Sequence, residues 1–203
     1  MSSTNRSAAR ESHISDYYVT PSETILDFCK ALETDARDFL PVFNFHNGSL
    51  SILDPCSGGD IKHSMAYPSA ILGKSGWEVR EFHTVDIRED SLAAQKCDYL
   101  AESGLGGKFD IIITNPPFNL AIDIIKKSLQ DVKEGGLVIM LLRLNFFGSK
   151  QRQAFFQENM PLLTYVHTKR PKFLNTGGTD SIEYMHAIWM KGSPRKFTKM
   201  RII

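Results

Sequence analysis

The feature that most constrains the fold is an apolar run, Phe109–Thr114, that is followed one residue later by two consecutive prolines, Pro116 and Pro117. Such a run is typical of a strand that is buried on both faces of a parallel sheet. The prolines forbid further ladder hydrogen bonds, so the strand must stop there and leave a rigid corner. The chain is therefore expected to contain a largely parallel sheet with this strand buried within it.

Helical and strand patterns alternate along the rest of the chain, and this alternation predicts an α/β fold built on one doubly wound, mostly parallel sheet. Two successive strands, residues 163–167 and 183–190, predict an antiparallel hairpin at its C-terminal edge. A chain of 203 residues can bury one core of this kind, and the sequence shows no sign of a second domain. We therefore divide the chain into a disordered polar arm, one domain and a basic tail, over residues 1–14, 15–192 and 193–203.

Local signals predict where some elements begin. Thr20 is expected to cap a helix that Pro21 opens. Pro68 lies where a crossover helix would normally continue, so we expect an irregular stretch followed by a short helix over residues 69–74. A further short helix is predicted over residues 91–96.

Two other strand ends carry residues suited to a ligand, and ligands of doubly wound sheets bind beyond the carboxyl ends of the strands. After the first strand, residues 54–60 are Asp-Pro-Cys-Ser-Gly-Gly-Asp, and Gly58 and Gly59 allow the backbone to approach a ligand closely. After the second strand, Asp86 suits the two hydroxyls of a ribose. Each feature also has a structural interpretation: a plain strand-to-helix turn for the glycines, and a helix cap, a role for which Asp90 competes, for Asp86.

The corner after the apolar run carries the most specific chemistry. Asn115 supplies a side-chain amide oxygen, and Pro116 leaves its carbonyl outside regular pairing. Two acceptors placed together can bind the two hydrogens of a flat amino group, and Phe118 can stack on the ring that bears it. The structural alternative is a strand terminator followed by a buried phenylalanine.

Charge is distributed unevenly along a chain whose net charge is only +1. From Arg143 onward there are 11 Lys and Arg residues and 3 acidic residues, so this part is strongly basic. A basic surface on a neutral chain suits the phosphates of a nucleic acid, although a solvated surface with a basic tail has the same composition. The candidate substrate-binding residues are Arg143, Lys150, Arg152, Lys169, Arg170 and Lys172.

Composition disfavours several classes of protein. Three widely spaced cysteines, Cys29, Cys56 and Cys97, argue against a disulfide framework and a zinc knuckle, and they fit a reducing cytoplasm. The six histidines have no metal-ligand or triad spacing. No apolar run is long enough to span a membrane, and the polar start lacks the apolar centre of a secretory signal. We therefore expect neither a metal nor a membrane partner.

These motifs, in their order and setting, resemble those of DNA adenine-N6 methyltransferases over roughly residues 17–190. The matching segments are Tyr17-Tyr18-Val19-Thr20-Pro21, Asp54-Pro55-x-x-Gly58, Asp86, Asp98 and Asn115-Pro116-Pro117-Phe118. The last part of the chain is similar to small phage- and prophage-borne members, through Arg170-Pro171-x-Phe173, Gly177-Gly178-Thr179-Asp180 and residues 184–189. Asp60 stands where those enzymes often have a glycine.

The resemblance implies a Rossmann-like methyltransferase that binds S-adenosyl-L-methionine and acts in the cytoplasm of a bacterial or phage-infected cell. Asp86 would bind the ribose, Asp98 the amino group of the cofactor's adenine, and the loop around Gly58 the methionine part. The implied cofactor-binding residues are Tyr18, Thr20, Asp54, Pro55, Cys56, Gly58, Asp86, Ile87, Asp98 and Tyr99. The implied catalytic residues are Asn115, Pro116, Pro117 and Phe118, the last stacking on a flipped adenine.

The implied activity is methyl transfer to adenine N6 in double- or single-stranded DNA. The chain leaves little room for a separate recognition domain, so we expect short or relaxed sequence specificity, or a partner protein that supplies it. The alternatives are methylation of RNA amino groups or of protein glutamine, and a non-catalytic module that binds cofactor or nucleic acid. The intact corner disfavours the non-catalytic module.

Overall fold

The computed structural model describes residues 17–40, 43–174 and 181–203. Its strands are β1 Leu50–Asp54, β2 Val79–Asp86, β3 Gln95–Lys96, β4 Phe109–Thr114, β5 Val132–Arg143, β6 Leu163–Val166, β7 Tyr184–Met190 and β8 Lys199–Ile202. The helices are α1 Ser22–Phe39, α2 Ala66–Lys74, α3 Ala121–Asp131 and α4 Gln153–Glu158, with short 3-10 helices at Leu144–Phe147 and Lys150–Arg152. Within the described residues the strands form one sheet in the order β3-β2-β1-β4-β5-β7-β6-β8.

The apolar run predicted as a buried strand is β4, which lies between β1 and β5 and pairs parallel with both. Its side chains alternate between the two faces of the sheet. Ile111 and Ile113 share a core cluster with residues of α1 and α2, whereas Ile112 shares one with residues of α3. Helices therefore cover both faces, and the predicted doubly wound α/β fold is confirmed.

The direction in which successive strands are added to the sheet changes between β1 and β4. From β1 it moves outward to β2 and β3, and it then returns to place β4 and β5 on the other side. In a doubly wound sheet this switch point opens a crevice beyond the carboxyl ends of the strands. Asp54, Asp86 and Thr114 end the three strands that border it.

The C-terminal edge contains the predicted antiparallel pair. β7 pairs antiparallel with both β5 and β6, so β6 runs in the same direction as the central strands. The segment assigned to a basic tail contributes β8, which pairs parallel with β6 at the outer edge. The carboxyl ends of β6 and β8 therefore point to the same side of the sheet as the carboxyl ends of β1 and β4.

The helix predicted over residues 91–96 is wrong, because contacts with β2 hold this segment extended. The Ala94 N–H donates to the Thr84 hydroxyl at 2.9 Å. The Cys97 N–H donates to the Asp86 carbonyl at 3.0 Å. The last residues of the segment become β3, which pairs with the end of β2.

Two further local predictions are corrected. Pro68 does not precede the short helix but lies in the first turn of α2, where a missing N–H breaks no helical hydrogen bond. Thr20 does not cap α1: Pro21 occupies the N-cap position without a side-chain hydrogen bond. The Thr20 hydroxyl instead accepts a hydrogen bond from Asn115.

Some predictions fall on parts of the chain that are not described. The predicted polar arm, residues 1–14, and the glycine-containing motif at residues 177–180 lie outside the described residues. In the ranges that are described, no helix is both long and apolar enough to cross a membrane. The same ranges hold no group of three or more His, Cys, Asp or Glu side chains placed to bind a metal ion.

Candidate active site

A cleft with about 920 Å³ of empty space opens at the switch point. It is bordered by the carboxyl ends of β1, β2 and β4 and by the segment that precedes α1. All the predicted cofactor-binding residues except Gly58 line it, and so do Asn115, Pro116 and Pro117.

The loop after β1 is fixed by Asp86 at the end of β2. The Asp86 carboxylate accepts hydrogen bonds from the Gly58 N–H at 2.7 Å and from the Arg88 N–H at 2.9 Å. Gly58 and Gly59 have φ angles of 62° and 79°, in the left-handed region that favours glycine. Because β3 rather than a helix follows, Asp86 is not a helix cap. It ties the loop to the sheet while lining the cleft.

Asp54 is a buried carboxyl in the wall of the cleft. Its Oδ1 accepts a hydrogen bond from the Cys56 N–H at 3.1 Å. Burial raises the pKa of Asp54 to about 7, and the negative charge of Asp86 acts in the same direction. Burial also raises the pKa of the Cys56 thiol, so this cysteine is not a ready nucleophile. The charge of Asp54 therefore responds to a ligand in the cleft, and a cationic ligand favours the ionised form.

The Asn115 side chain is held in one orientation by the segment before α1. Its Nδ2 donates to the Tyr18 carbonyl at 3.3 Å and to the Thr20 hydroxyl at 3.2 Å. A carbonyl can only accept, so the amide nitrogen faces Tyr18 and the amide oxygen points away from it. This Oδ1 is buried and has no hydrogen-bond partner among the residues that the structure describes. An unsatisfied acceptor in a cleft wall is suited to a donor from a ligand.

Phe118 is not among the described residues that line the cleft, and its partly exposed ring packs beside the corner. Its ring centroid lies 6.1 Å from those of Tyr18 and Tyr184. The Arg143 guanidinium lies 4.4 Å from the centroid of the same ring. Phe173 belongs to the same cluster. Three residues of the predicted corner thus line the cleft, and the fourth joins an aromatic cluster beside it.

The remaining predicted cofactor residues form a more open side of the cleft. Asp98 is exposed, and its carboxylate accepts a hydrogen bond from the Leu100 N–H at 3.0 Å. Ile87 is an exposed apolar side chain. Tyr99 is buried, and its hydroxyl lies 3.3 Å from that of Ser128. A carboxylate beside apolar surface suits a flat ring that bears an amino group.

The predicted substrate-binding cations have different surroundings. Arg143 contacts the corner through the ring of Phe118. The Arg152 Nε donates to the Phe146 carbonyl at 2.7 Å, and Arg170 forms an ion pair with Glu183 at 2.6 Å. The exposed lysines of this set are Lys150, Lys169 and Lys172.

Sequence reasoning left several lining residues unassigned. The Arg88 guanidinium lies 3.9 Å from the centroid of the Tyr17 ring, and a Cβ at position 58 would lie 2.4 Å from the same ring. Arg88 follows Asp86 by two residues, and its N–H donates to the Asp86 carboxylate at 2.9 Å. No local signal identifies Tyr67, whose hydroxyl lies 2.9 Å from His186 Nε2. The unassigned residues are Tyr17, Val19, Ser57, Gly59, Ser64, Ala66, Tyr67, Arg88, Leu100, Leu120 and Ile124.

The architecture is shared with a known class of enzymes. A proposed class I S-adenosylmethionine-dependent methyltransferase from Listeria monocytogenes matches with a TM-score of 0.63 and 16% sequence identity. The match covers 91% of this chain and 65% of the Listeria chain, so this chain spans less than two thirds of that protein. The chain has the class I S-adenosylmethionine-dependent methyltransferase fold, with its Rossmann-like sheet and antiparallel β7.

Two further structures share this fold. A modification subunit of a proposed type I restriction enzyme from Vibrio vulnificus YJ016 matches with a TM-score of 0.55 and 12% identity, over 95% of this chain and 48% of the subunit. A proposed RNA methyltransferase from Pyrococcus horikoshii matches with a TM-score of 0.56 and 11% identity, over 87% and 88% of the two chains. No protein-family model and no curated protein sequence matches this chain.

Proposed function

We propose that this chain is an S-adenosyl-L-methionine-dependent methyltransferase of planar amino groups, and that its substrate is adenine N6 in DNA. The observation that carries the proposal is the Asn115 Oδ1, a buried acceptor with no partner among the described residues. Asn115 precedes the rigid Pro116-Pro117 turn, and all three residues line the cleft at the switch point. A module that only binds has no use for an acceptor held ready for an amine.

The lining of the cleft fits S-adenosyl-L-methionine, which is positively charged at its sulfonium and amino groups. The carboxyl groups of Asp54, Asp86 and Asp98 all border the cleft. Asp86 would hold the ribose hydroxyls, Asp98 would accept from the adenine amino group, and Ile87 would lie against the adenine ring. Burial raises the pKa of Asp54, and the positive charge of the bound cofactor would lower it and favour the ionised carboxylate.

The corner would act by orienting the target nitrogen. Asn115 Oδ1 and the Pro116 carbonyl would accept its two N–H groups and draw the nitrogen out of conjugation with its ring. When bound, S-adenosyl-L-methionine supplies the methyl group: a nitrogen–carbon bond forms as the carbon–sulfur bond breaks, and its electron pair stays on sulfur. Neither acceptor takes up a proton, so one N–H proton leaves to water. Orientation of this kind accelerates a transfer without a covalent protein nucleophile.

Two features of the chain favour DNA as the substrate. Phe118 and Tyr18, which are partly exposed, offer aromatic surface beside the corner to a base taken out of its stack. Lys169 and Lys172 follow β6, on the edge of the sheet at which the cleft opens. The Vibrio neighbour is named a modification subunit of a proposed type I restriction enzyme, which fits DNA, whereas the Pyrococcus neighbour is named a proposed RNA methyltransferase and keeps RNA as the second candidate.

We also propose short or relaxed sequence specificity. Direct readout needs an element that reaches base edges in a groove. In the described ranges, the long helices pack on the sheet and are not placed to enter a groove. Flanking contacts to phosphates, or a partner protein, would then supply what selectivity there is.

Parallel transfer assays test the substrate. Labelled S-adenosyl-L-methionine is incubated with unmethylated double-stranded DNA, single-stranded DNA, RNA and protein, and the modified positions in DNA are mapped by sequencing. We expect label on adenine N6 at many short sites. Label on RNA or protein alone would contradict the DNA assignment, and no transfer to any amine would contradict the enzyme class.

DNA affinity is expected to fall steeply with salt, with a slope of log affinity against log salt of about −0.9 per phosphate neutralised. Replacing Lys169 and Lys172 together with glutamine should reduce the slope by about 2. Lys74→Gln is the matched control, because α2 carries the chain back to the start of β2, on the opposite edge of the sheet. Fluorescence anisotropy over a salt series measures the slope. A flat wild-type curve would point to a protein or small-molecule substrate.

Cofactor affinity is expected to rise with pH up to about 7 and then level off. A cationic ligand lowers the pKa of Asp54 from its value of about 7, so binding near this pH releases a proton. Below pH 7 Asp54 must lose its proton when the cofactor binds, so cofactor affinity falls by up to about tenfold per pH unit. Above pH 7 Asp54 is already ionised, and the affinity no longer changes. Calorimetry in buffers of different ionisation enthalpy measures the release. Asp54→Asn should abolish it, and an unchanged pH dependence in that variant would exclude Asp54 as the group.

A further inference from the structure

We infer that Thr20 is a positioning residue: its hydroxyl, together with the Tyr18 carbonyl, fixes the Asn115 amide so that Oδ1 faces the target amine. The inference rests on the proposed methylation of amino groups. It departs from the family resemblance, which implies that Thr20 holds the cofactor. The structure points instead to a role that Thr20 exerts through Asn115.

The oxygen and the NH₂ group of a side-chain amide are nearly equal in size. Rotating the Asn115 side chain by half a turn exchanges its oxygen and its NH₂ group with little change in shape. In the rotated state the NH₂ group would meet the N–H groups of a target amine, donor against donor. The rotated oxygen would also face the Tyr18 carbonyl, acceptor against acceptor. The Tyr18 carbonyl, which can only accept, therefore selects the one orientation that can bind an amine, and the Thr20 hydroxyl adds a second hydrogen bond that holds the amide in it.

The Thr20 hydroxyl has no competing structural task in the described part of the chain. Thr20 is buried, and the helix that follows has Pro21 as its N-cap, with no side-chain hydrogen bond to its first turn. A buried hydroxyl is destabilising unless it finds a partner. Asn115 Nδ2, at 3.2 Å, is the partner that the structure gives it. A polar residue at this buried position is explained by its contact with the corner.

Residues 17–20 form a strap that holds these two acceptors in place. At one end Tyr17 contacts Gly58 and Arg88, and in the middle the Val19 carbonyl accepts a hydrogen bond from the Leu174 N–H at 3.1 Å. At the other end the strap continues into α1. The acceptors are therefore anchored on both sides, and Asn115 is oriented before a target arrives. Preorganised groups of this kind contribute most to stabilising a transition state.

The test replaces Thr20 with valine, which keeps the shape and removes the hydroxyl, and with serine, which keeps the hydroxyl. We expect Thr20→Val to lower kcat by about tenfold, the effect of one lost hydrogen bond. Its dissociation constant for the cofactor should stay within about twofold of wild type, and Thr20→Ser should recover most of the loss. Thr24→Val is the matched control, because Thr24 is a buried threonine four residues further on, in α1 and outside the cleft lining.

A second measurement follows the amide directly in the ligand-free protein. The Asn115 side-chain NH₂ signals, identified by their loss in Asn115→Asp, are expected to shift in Thr20→Val and to keep their position in Thr20→Ser and Thr24→Val. If valine prevents folding, Thr20→Ala replaces it in both experiments.

The outcomes separate this inference from the proposed function. A wild-type protein that methylates no amine overturns the function, and an NH₂ signal that responds to Thr20 then still establishes the contact. An active wild type with unchanged kcat and unchanged NH₂ signals in Thr20→Val overturns the positioning role. Loss of cofactor affinity in Thr20→Val with normal kcat at saturation also overturns it and returns Thr20 to the cofactor site.

Discussion

Replacing Asn115 with alanine is expected to lower kcat by about 10²–10³-fold, because it removes one of the two acceptors that orient the target amine. Cofactor affinity should stay within about threefold of wild type, since Asn115 is assigned to the amine and not to the methyl donor. Single-turnover kinetics measures the first effect. Titration calorimetry with the cofactor or its demethylated product measures the second.

Asn119→Ala is the matched control for this experiment. Asn119 is exposed, lies just beyond the same corner and is not among the described residues that line the cleft. It should leave both parameters near wild type. A collapse of cofactor binding in Asn115→Ala would show that Asn115 had been assigned to the wrong ligand.

Replacing Asp86 with alanine is expected to give the opposite pattern. Charge-assisted hydrogen bonds of the kind proposed to the ribose contribute about 1.5–3 kcal/mol, so cofactor affinity should fall by about 10–150-fold. The loss of the acceptor for the Gly58 and Arg88 N–H groups acts in the same direction, because it loosens the loop. Turnover should recover in part when the cofactor concentration is raised.

Asp90→Ala separates the ribose assignment from a general effect of charge. Asp90 is an exposed acid close to Asp86 in sequence, and it forms an ion pair with Arg88 at 2.9 Å. We expect this variant to bind cofactor within about twofold of wild type. Normal binding by Asp86→Ala together with weak binding by Asp90→Ala would transfer the ribose role to Asp90.

The central part of the fold could be predicted because its signals are local. The apolar run of β4 and the prolines after it specify a buried strand and its end without reference to the rest of the chain. Residues 91–96 could not be predicted, because their conformation depends on hydrogen bonds to the Thr84 hydroxyl and the Asp86 carbonyl in β2. A helical pattern in a short segment is easily overridden by such tertiary contacts.

The candidate site also contains residues that could be predicted from the sequence and residues that could not. Asn115 and Asp86 could be identified because Asp86 ends β2 and Asn115 directly follows β4, on the side of the sheet where ligands bind. The partners of Asn115 could not, because Tyr18 and Thr20 are far from it in sequence and meet it only in the folded chain. The sequence around Thr20 predicted a helix cap instead. A threonine followed by a proline and a glutamate looks the same in sequence whether its hydroxyl caps the helix or bonds a distant residue.

The contact between Gly58 and Tyr17 has a consequence for how this sequence can diverge. Position 58 is restricted twice, by its left-handed backbone and by the Tyr17 ring, which a Cβ would approach to 2.4 Å. Loss of the aromatic ring at position 17 would remove the second restriction and leave the first. Glycine could then give way to asparagine, which tolerates left-handed backbone, but not to a β-branched residue. In related sequences, the two positions are therefore expected to covary, with the change at 17 occurring first.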